Sequence, residues 1–347
     1  MELGLYTFAD LDIQHPAGKN KGTHQRIADL MEEIKLADDL GLDVFGVGEH
    51  HRLDYTVSSP TTILAAAAVT TKNIKLTSAV TVLSSDDPVR VYQQFATIDQ
   101  LSSGRAEIMV GRGSFIESFP LFGYDLNEYD ELFEEKLNML LELNKAEVVT
   151  WKGELTQSFE RTGIYPRPYQ DTLPIWQAVG GTPQSAIRAG KLGLPLALAI
   201  IGGMPKQFVP FIQLYRNTWN QHQGTAKPFQ LGINSHVYVA ENSQQASDEF
   251  FPSYAEVMSR IGRERGWPPT TRQQFEGMRM PEASLIVGSP QQVIDKILYE
   301  HELFGNTRFL AQMSLGNMPH KHILKSMELF AKEVMPAVKK ATGHHHI

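Results

Sequence analysis

The chain contains no cysteine. That absence removes disulfides, thiolate nucleophiles and thiolate-held metal centres, and it fits a reducing compartment. Surplus positive charge is missing too: 32 Lys and Arg stand against 39 Asp and Glu, a formal net charge of −7 over 347 residues, with no basic block. A nucleic-acid partner needs a concentrated basic footprint, so none is expected. Nor is there a long hydrophobic run. The apolar stretch Leu192–Ile201 is too short to cross a bilayer and is punctuated by Gly and Pro, so no membrane partner is expected. The opening residues MELGLYTFAD lack a basic n-region and a long apolar h-region, so they read as a first strand, not a signal peptide. The expected location is cytoplasmic.

What is present is the composition of a globular enzyme, 42% hydrophobic and 20% charged. The length allows about two domains, but α/β barrels absorb about 250 residues or more as one. Residues 1–340 are expected to form a single barrel domain. Residues 341–347 are a tail whose His344, His345 and His346, native or a purification remnant, are set aside.

Short β-branched or apolar runs alternate with helical segments, the rhythm of βα units on a parallel sheet. The expected strands are Leu3–Phe8, Val44–Gly48, Ile74–Leu83, Ala106–Gly111, Ile175–Val179, Pro195–Ala199, Leu231–Val239 and Arg308–Met313. Helices are expected over His24–Leu40, Pro88–Leu101, Asn127–Leu143, Thr182–Leu192, Phe208–His222, from Ser289-Pro290 onward, and over Pro319–Lys339. A hairpin insertion, Val148–Tyr165, precedes strand five, and a mostly helical insertion, Ser243 to about Ala283, follows strand seven. Eight strands in this order predict an α/β fold, a (β/α)₈ TIM barrel.

Ligands of such barrels sit at the C-terminal strand ends. Those ends carry Phe8 and Ala9, Glu49 to His51, Ser84 to Asp87, Gly111 to Ser114, Gly180 to Thr182, Ile200 to Gly203 and Ser314 to Asn317. Val179-Gly180-Gly181-Thr182-Pro183-Gln184-Ser185 reads as strand, turn and helix start. Thr before Pro is good capping chemistry, and the same geometry presents free N–H groups to an anion that Gly180 and Gly181 let approach. Arg112, between Gly111 and Gly113, is either a turn residue or a phosphate partner. Glu49-His50-His51 can be a capped polar cluster, a metal site or an acid–base group. No H-E-x-x-H pattern exists and metal ligation would have to recruit His320 or His322, so proton transfer or substrate orientation suits it better and no metal is expected. Small residues within Ser78–Leu83 leave room for a flat ring. Asp86-Asp87-Pro88 reads as a helix start without catalysis. Phe8, Phe115, Phe119, Phe122 and Met204 can line an apolar pocket or belong to the core.

Several segments together resemble the bacterial luciferase-like, flavin-dependent monooxygenases: Gly48-Glu49-His50-His51, the run Leu76–Gly113 with Asp87-Pro88-Val89-Arg90 and Asp99–Arg105, Gly180–Pro195, Val287–Gln292 and Ser326–Lys339. The resemblance implies a barrel, a homodimer, and reduced FMN supplied by an NAD(P)H-flavin reductase. O₂ and a small organic substrate would react through a C4a-peroxyflavin. By the same resemblance Ala79-Val80 lies against the isoalloxazine, often across a non-prolyl cis peptide. Arg112, Gly181, Thr182 and Ser185 hold the phosphate, with Gly111, Val179 and Gly180 beside them. His50 is the catalytic histidine, accompanied by Glu49 and His51. Gly181 and Thr182 stand where the luciferase subunit has an acidic residue and Ser, and Gly111 where it has Cys, so light emission is not implied. An F420-dependent hydride-transfer oxidoreductase and a non-catalytic flavin-binding barrel are the alternatives.

Overall fold

A computed structural model describes residues 1–12, 19–113 and 115–343. Ser114 and the terminal histidines lie outside the described residues. Eight parallel strands close on themselves: one (Glu2–Thr7), two (Val44–Val47), three (Lys75–Ser78), four (Ala106–Gly111), five (Ile175–Val179), six (Leu196–Ala199), seven (Leu231–Val239) and eight (Arg308–Gln312). Strand eight pairs back onto strand one, Glu2 opposite Arg308, which completes the expected (β/α)₈ barrel. Strands four, five and seven have the bounds read from the sequence.

Strand three departs from expectation. It does not run to Leu83 but ends at Ser78; the Ala79–Val80 peptide is cis, and Thr81–Val82 resumes pairing beside Val110 and Gly111. After helix α1 (Lys19–Asp39), the sequence reading also missed helix α2 (Pro60–Thr70). Its Ala-rich run is apolar on every side and so has no period to betray it. A short extra strand, Ile286–Gly288, lengthens the sheet beside Val237–Val239. The hairpin is present as Val148–Trp151 and Phe159–Gly163. The insertion after strand seven contains two helices, Ser243–Glu264 and Arg272–Met278.

Alternate residues of each strand face inward. Tyr6, Val44, Met109, Trp176, Ala197 and Leu310 form one packed layer inside the barrel, while Leu3, Phe45, Ile108, Ile233 and Phe309 pack outward under the helices. Below that layer, at the N-terminal strand ends, Arg308 holds Glu107 through two bonds of 2.6 and 3.0 Å and Glu2 through one of 2.7 Å. Lys75 holds Glu2 at 2.6 Å, and the Arg308 guanidinium lies 4.1 Å from the Trp176 ring centre.

Candidate active site

The chain leaves strand two through Gly48, where an added Cβ would lie 2.3 Å from the Phe8 ring and 2.9 Å from the Ala79 carbonyl, so only glycine fits. The next three residues part company. Glu49 accepts a 2.9 Å bond from the Val82 N–H and pairs with His51 Nε2 at 2.8 Å, tying this loop to the break in strand three. His51 stands edge-on to Phe122. His50 turns instead into a cage formed by Phe8, Tyr55 and Phe115, at centroid distances of 4.6, 4.3 and 5.1 Å. Its Nε2 is buried without a hydrogen-bond partner among the described residues. Burial pushes the His50 pKa from 6.5 down to about 4, against the pull of Asp54, so the ring is neutral at pH 7 and can both donate and accept.

Around His50 the barrel mouth is lined by small groups. Gly111 leaves no room for a Cβ, which would meet Val80 at 2.9 Å. Val80, Ala178 and Ala199 are only half-buried although strand parity turns Ala178 and Ala199 inward, so the mouth has open space against this wall. Strands four and five are neighbours, which brings the Gly111-Arg112 and Val179-Gly180 ends side by side. Gly181 has φ of +109°, a conformation that side chains rarely adopt, and nothing stands within 4 Å of a Cβ built on Gly180. Helix Pro183–Leu192 begins there with Thr182 as N-cap residue, but the Thr182 hydroxyl lies 2.6 Å from that of Ser185 and does not cap the helix. The first-turn N–H groups therefore lack a side-chain acceptor. Arg112 pairs with Asp130 and lies over Tyr129. Of the other expected lining residues, Phe119 is fully buried, while Phe122 and Met204 are exposed. His320 lies against Glu32 and Glu33 of helix Lys19–Asp39, which hold its ring charged with a pKa near 9.

The rest of the mouth was not read from the sequence. Among the described residues, Asn234 Oδ1, His236 Nδ1 and both amide atoms of Gln312 are buried without a hydrogen-bond partner, as is Asp10 Oδ1. Asn234, His236 and Gln312 share the inward parity of Gly232 and Leu310. The polar run Asn234-Ser235-His236 in the middle of a buried strand, and Gln312 after the apolar Phe309–Ala311, were the available signal. Burial raises the Asp10 carboxyl to about 6. Helix Ser243–Glu264 crosses this side of the mouth: Tyr254 meets the His236 ring edge-on, Ser253 bonds Asn317, Arg260 pairs with Asp54 at 3.2 Å, and Glu264 pairs with Arg52. Its 22 residues span about 33 Å, enough to roof the opening. Two cavities flank the Glu49–His51 pair. One of about 380 Å³ is lined by Arg52, Asp54, Glu117 and Arg260. The other, of about 430 Å³, is lined by Ser59, Thr81, Ser85 and Asp86. Asp86-Asp87-Pro88 is the helix start expected, with Asp87 capping the helix from Pro88, and burial raises the Asp86 carboxyl to about 6.

Residues 1–307 match the family described as luciferase-like monooxygenase. The chain belongs to the luciferase-like monooxygenase family. Among curated luciferase-like relatives, 4-hydroxyprotoasukamycin monooxygenase of Streptomyces nodosus subsp. asukaensis is 26% identical over 94% of this chain and 91% of its own length. The oxygenase component of the flavin-dependent trigonelline monooxygenase of Acinetobacter baylyi is 25% identical over 92% of each. Solved structures share the fold: a monooxygenase from Streptomyces bottropensis superposes with a TM-score of 0.84 at 24% identity, covering 97% of this chain and 99% of that one. The oxygenating constituent of 3,6-diketocamphane monooxygenase of Pseudomonas putida, solved with FMN, gives 0.77 at 18%, with 97% and 98% covered. An F420-dependent secondary alcohol dehydrogenase gives 0.76 at 18%, with the same coverage. The named relatives of this luciferase-like enzyme are monooxygenases, hence oxidoreductases. No helix among the described residues is long and apolar enough to cross a membrane.

Proposed function

We propose that this enzyme is an FMN-dependent monooxygenase that inserts oxygen from O₂ into a small organic substrate, and that the barrel of residues 1–340 acts in the cytoplasm as a homodimer beside a separate NAD(P)H-flavin reductase. The observation that carries the reading is the His50 side chain: a neutral imidazole in an aromatic cage, its Nε2 unpartnered, at the end of a strand that faces a wall of small residues.

The residues suit a flat anionic cofactor. Ala79, Val80, Gly111, Ala178 and Ala199 leave the width of a ring against one wall, and Gly48 lets that wall close up. The phosphate would lie on the uncapped helix start at Gly181 and Thr182, with Ser185 donating once its hydroxyl is released from Thr182. Arg112 would exchange Asp130 for the phosphate, a bidentate partner of higher charge. Reduced FMN, when bound, supplies the electrons and activates O₂. His50 would donate or accept a proton at its open Nε2. Glu49 and His51 act through the Val82 bond, fixing the loop. Phe8, Tyr55 and Phe115 exclude water from the imidazole, and the Ser243–Glu264 helix closes the mouth above it.

The test is a His50→Ala variant titrated with FMN and assayed for reductase-coupled oxygen consumption. Proton transfer by a positioned side chain contributes roughly 10²- to 10⁴-fold, so turnover should fall by that range while FMN affinity stays within about twofold. Turnover equal to the parent overturns the role of His50. Anaerobic substrate turnover with F420 in place of FMN would move the enzyme to the hydride-transfer branch. Flavin binding without turnover of any aldehyde, ketone, alkanesulfonate or aromatic would mark a non-catalytic flavin barrel.

A further inference from the structure

In a ring of eight strands, three and four lie across the barrel from seven and eight. Of the small residues, Ala79, Val80 and Gly111 belong to the first pair, while Ala178 and Ala199 carry the same lining round strands five and six as far as Asn234; the unpartnered Asn234, His236 and Gln312 belong to the second pair. His236 and Gln312 face each other in register on adjacent strands. Buried polar groups are ordinarily satisfied, because an unmade bond leaves the desolvation of the group uncompensated, and three neighbouring side chains left so on one inner wall mark where a ligand completes them.

The wall is also specific about charge. Burial pushes the His236 pKa down to about 4, the Gln312 amide offsetting this only in part, so the imidazole is neutral. Arg26 is bonded to Glu33 and Ser314, and Arg260 pairs with Asp54 on the side of the loop after strand two, its guanidinium otherwise buried without a hydrogen-bond partner among the described residues. Asp10 adds an acidic group at the end of strand one, beside strand eight. With Gln312 and Asn234 uncharged by nature and His236 neutral, the wall itself offers an anionic substrate no counter-charge. Gln312 offers an amide nitrogen as donor and its oxygen as acceptor, Asn234 an acceptor oxygen, and neutral His236 its open Nδ1, which donates or accepts according to the tautomer.

We propose that Gln312, His236 and Asn234 form the substrate-recognition wall of the enzyme, and that they select a neutral substrate presenting an adjacent donor and acceptor, an amide, lactam or carbonyl flanked by a hydroxyl. This assignment rests on the flavin reading, since it takes the opposite wall as the side occupied by the ring. The bound group pairs with the Gln312 amide, which leaves the substrate between that wall and the ring, under Tyr254.

The experiment uses the full-length protein loaded with FMN and three probes: 2-pyridone, its N-methyl derivative, which lacks the donor, and benzoate, the anion. The parent should bind 2-pyridone at least tenfold more tightly than either of the others. Gln312→Leu and Gln312→Met should each lose about tenfold in 2-pyridone affinity while their FMN affinity, measured separately by fluorescence quenching, stays within twofold. Benzoate binding as well as 2-pyridone, or Gln312 variants binding 2-pyridone like the parent, overturns the proposal. Failure of the parent to bind FMN at all defeats the flavin reading instead, so the two are told apart.

Discussion

The two ends of the barrel treat buried polar groups in opposite ways. At the N-terminal end Glu2, Lys75, Glu107 and Arg308 are bonded to one another, with Arg308 lying on Trp176. At the C-terminal end His50, Asp10, Asn234, His236 and Gln312 each keep a buried atom with no partner. Arg308 and Glu107 are as buried as His236 and Gln312, so depth does not separate the two groups. Saturation does: the end that answers its own polar groups holds the barrel together, and the end that leaves them open is built for something that arrives later.

Three variants strain that contrast. Arg308→Met should have the largest effect, about 3–5 kcal/mol of stability by urea denaturation, because it strands the Glu107 carboxylate in the interior; breaking one partner of a buried pair costs that much. A loss below about 1 kcal/mol would show that the closed network is not what secures this end. Asp10→Asn should act in the opposite direction by about 1–2 kcal/mol. An acid raised to about 6 in the fold binds more protons there than when unfolded, so its cost is absent below its unfolded pKa near 3.8 and grows to full size as pH rises past 6. The gain from Asp10→Asn should thus widen between pH 4 and pH 7, and a constant difference would contradict the shift. Gln312→Leu should change stability least, by no more than about 0.5 kcal/mol in either direction, since it removes two unmade bonds and keeps the volume. A loss comparable to that of Arg308→Met would erase the distinction between the two ends.

Much of the fold was legible because strands four, five and seven are compact apolar runs bounded by turn residues. Helix α2 was not, since Ile63 to Val69 is apolar all round. The end of strand three was not legible in the residue pattern, since Ala79 and Val80 look like any other strand residues, but the family resemblance pointed to the cis peptide that stands between them. For the site, the residues that follow one another along the chain were readable: Glu49 to His51, and Gly180 to Ser185. Sequence adjacency nonetheless concealed that Glu49 and His51 pair with each other while His50 faces elsewhere. Asn234, His236 and Gln312 could not be grouped, because what unites them is the register between strands seven and eight, and that register exists only once the barrel has closed.

The roof and the walls differ in what holds them. Backbone ladders and packed side chains fix the strands, whereas the far end of helix Ser243–Glu264 is fastened to the loop after strand two by the Arg260–Asp54 and Arg52–Glu264 ion pairs. Salt screens charges and leaves packing nearly untouched, with a Debye length of about 10 Å at 0.1 M falling to about 3 Å at 1 M. Ionic strength therefore acts first on the Arg52–Glu264 tie, whose carboxylate is half exposed, and less on the buried Arg260–Asp54 pair: raising it loosens the tip of the lintel while the chamber stays packed, and the rate at which molecules pass in and out becomes separable from the chemistry done inside.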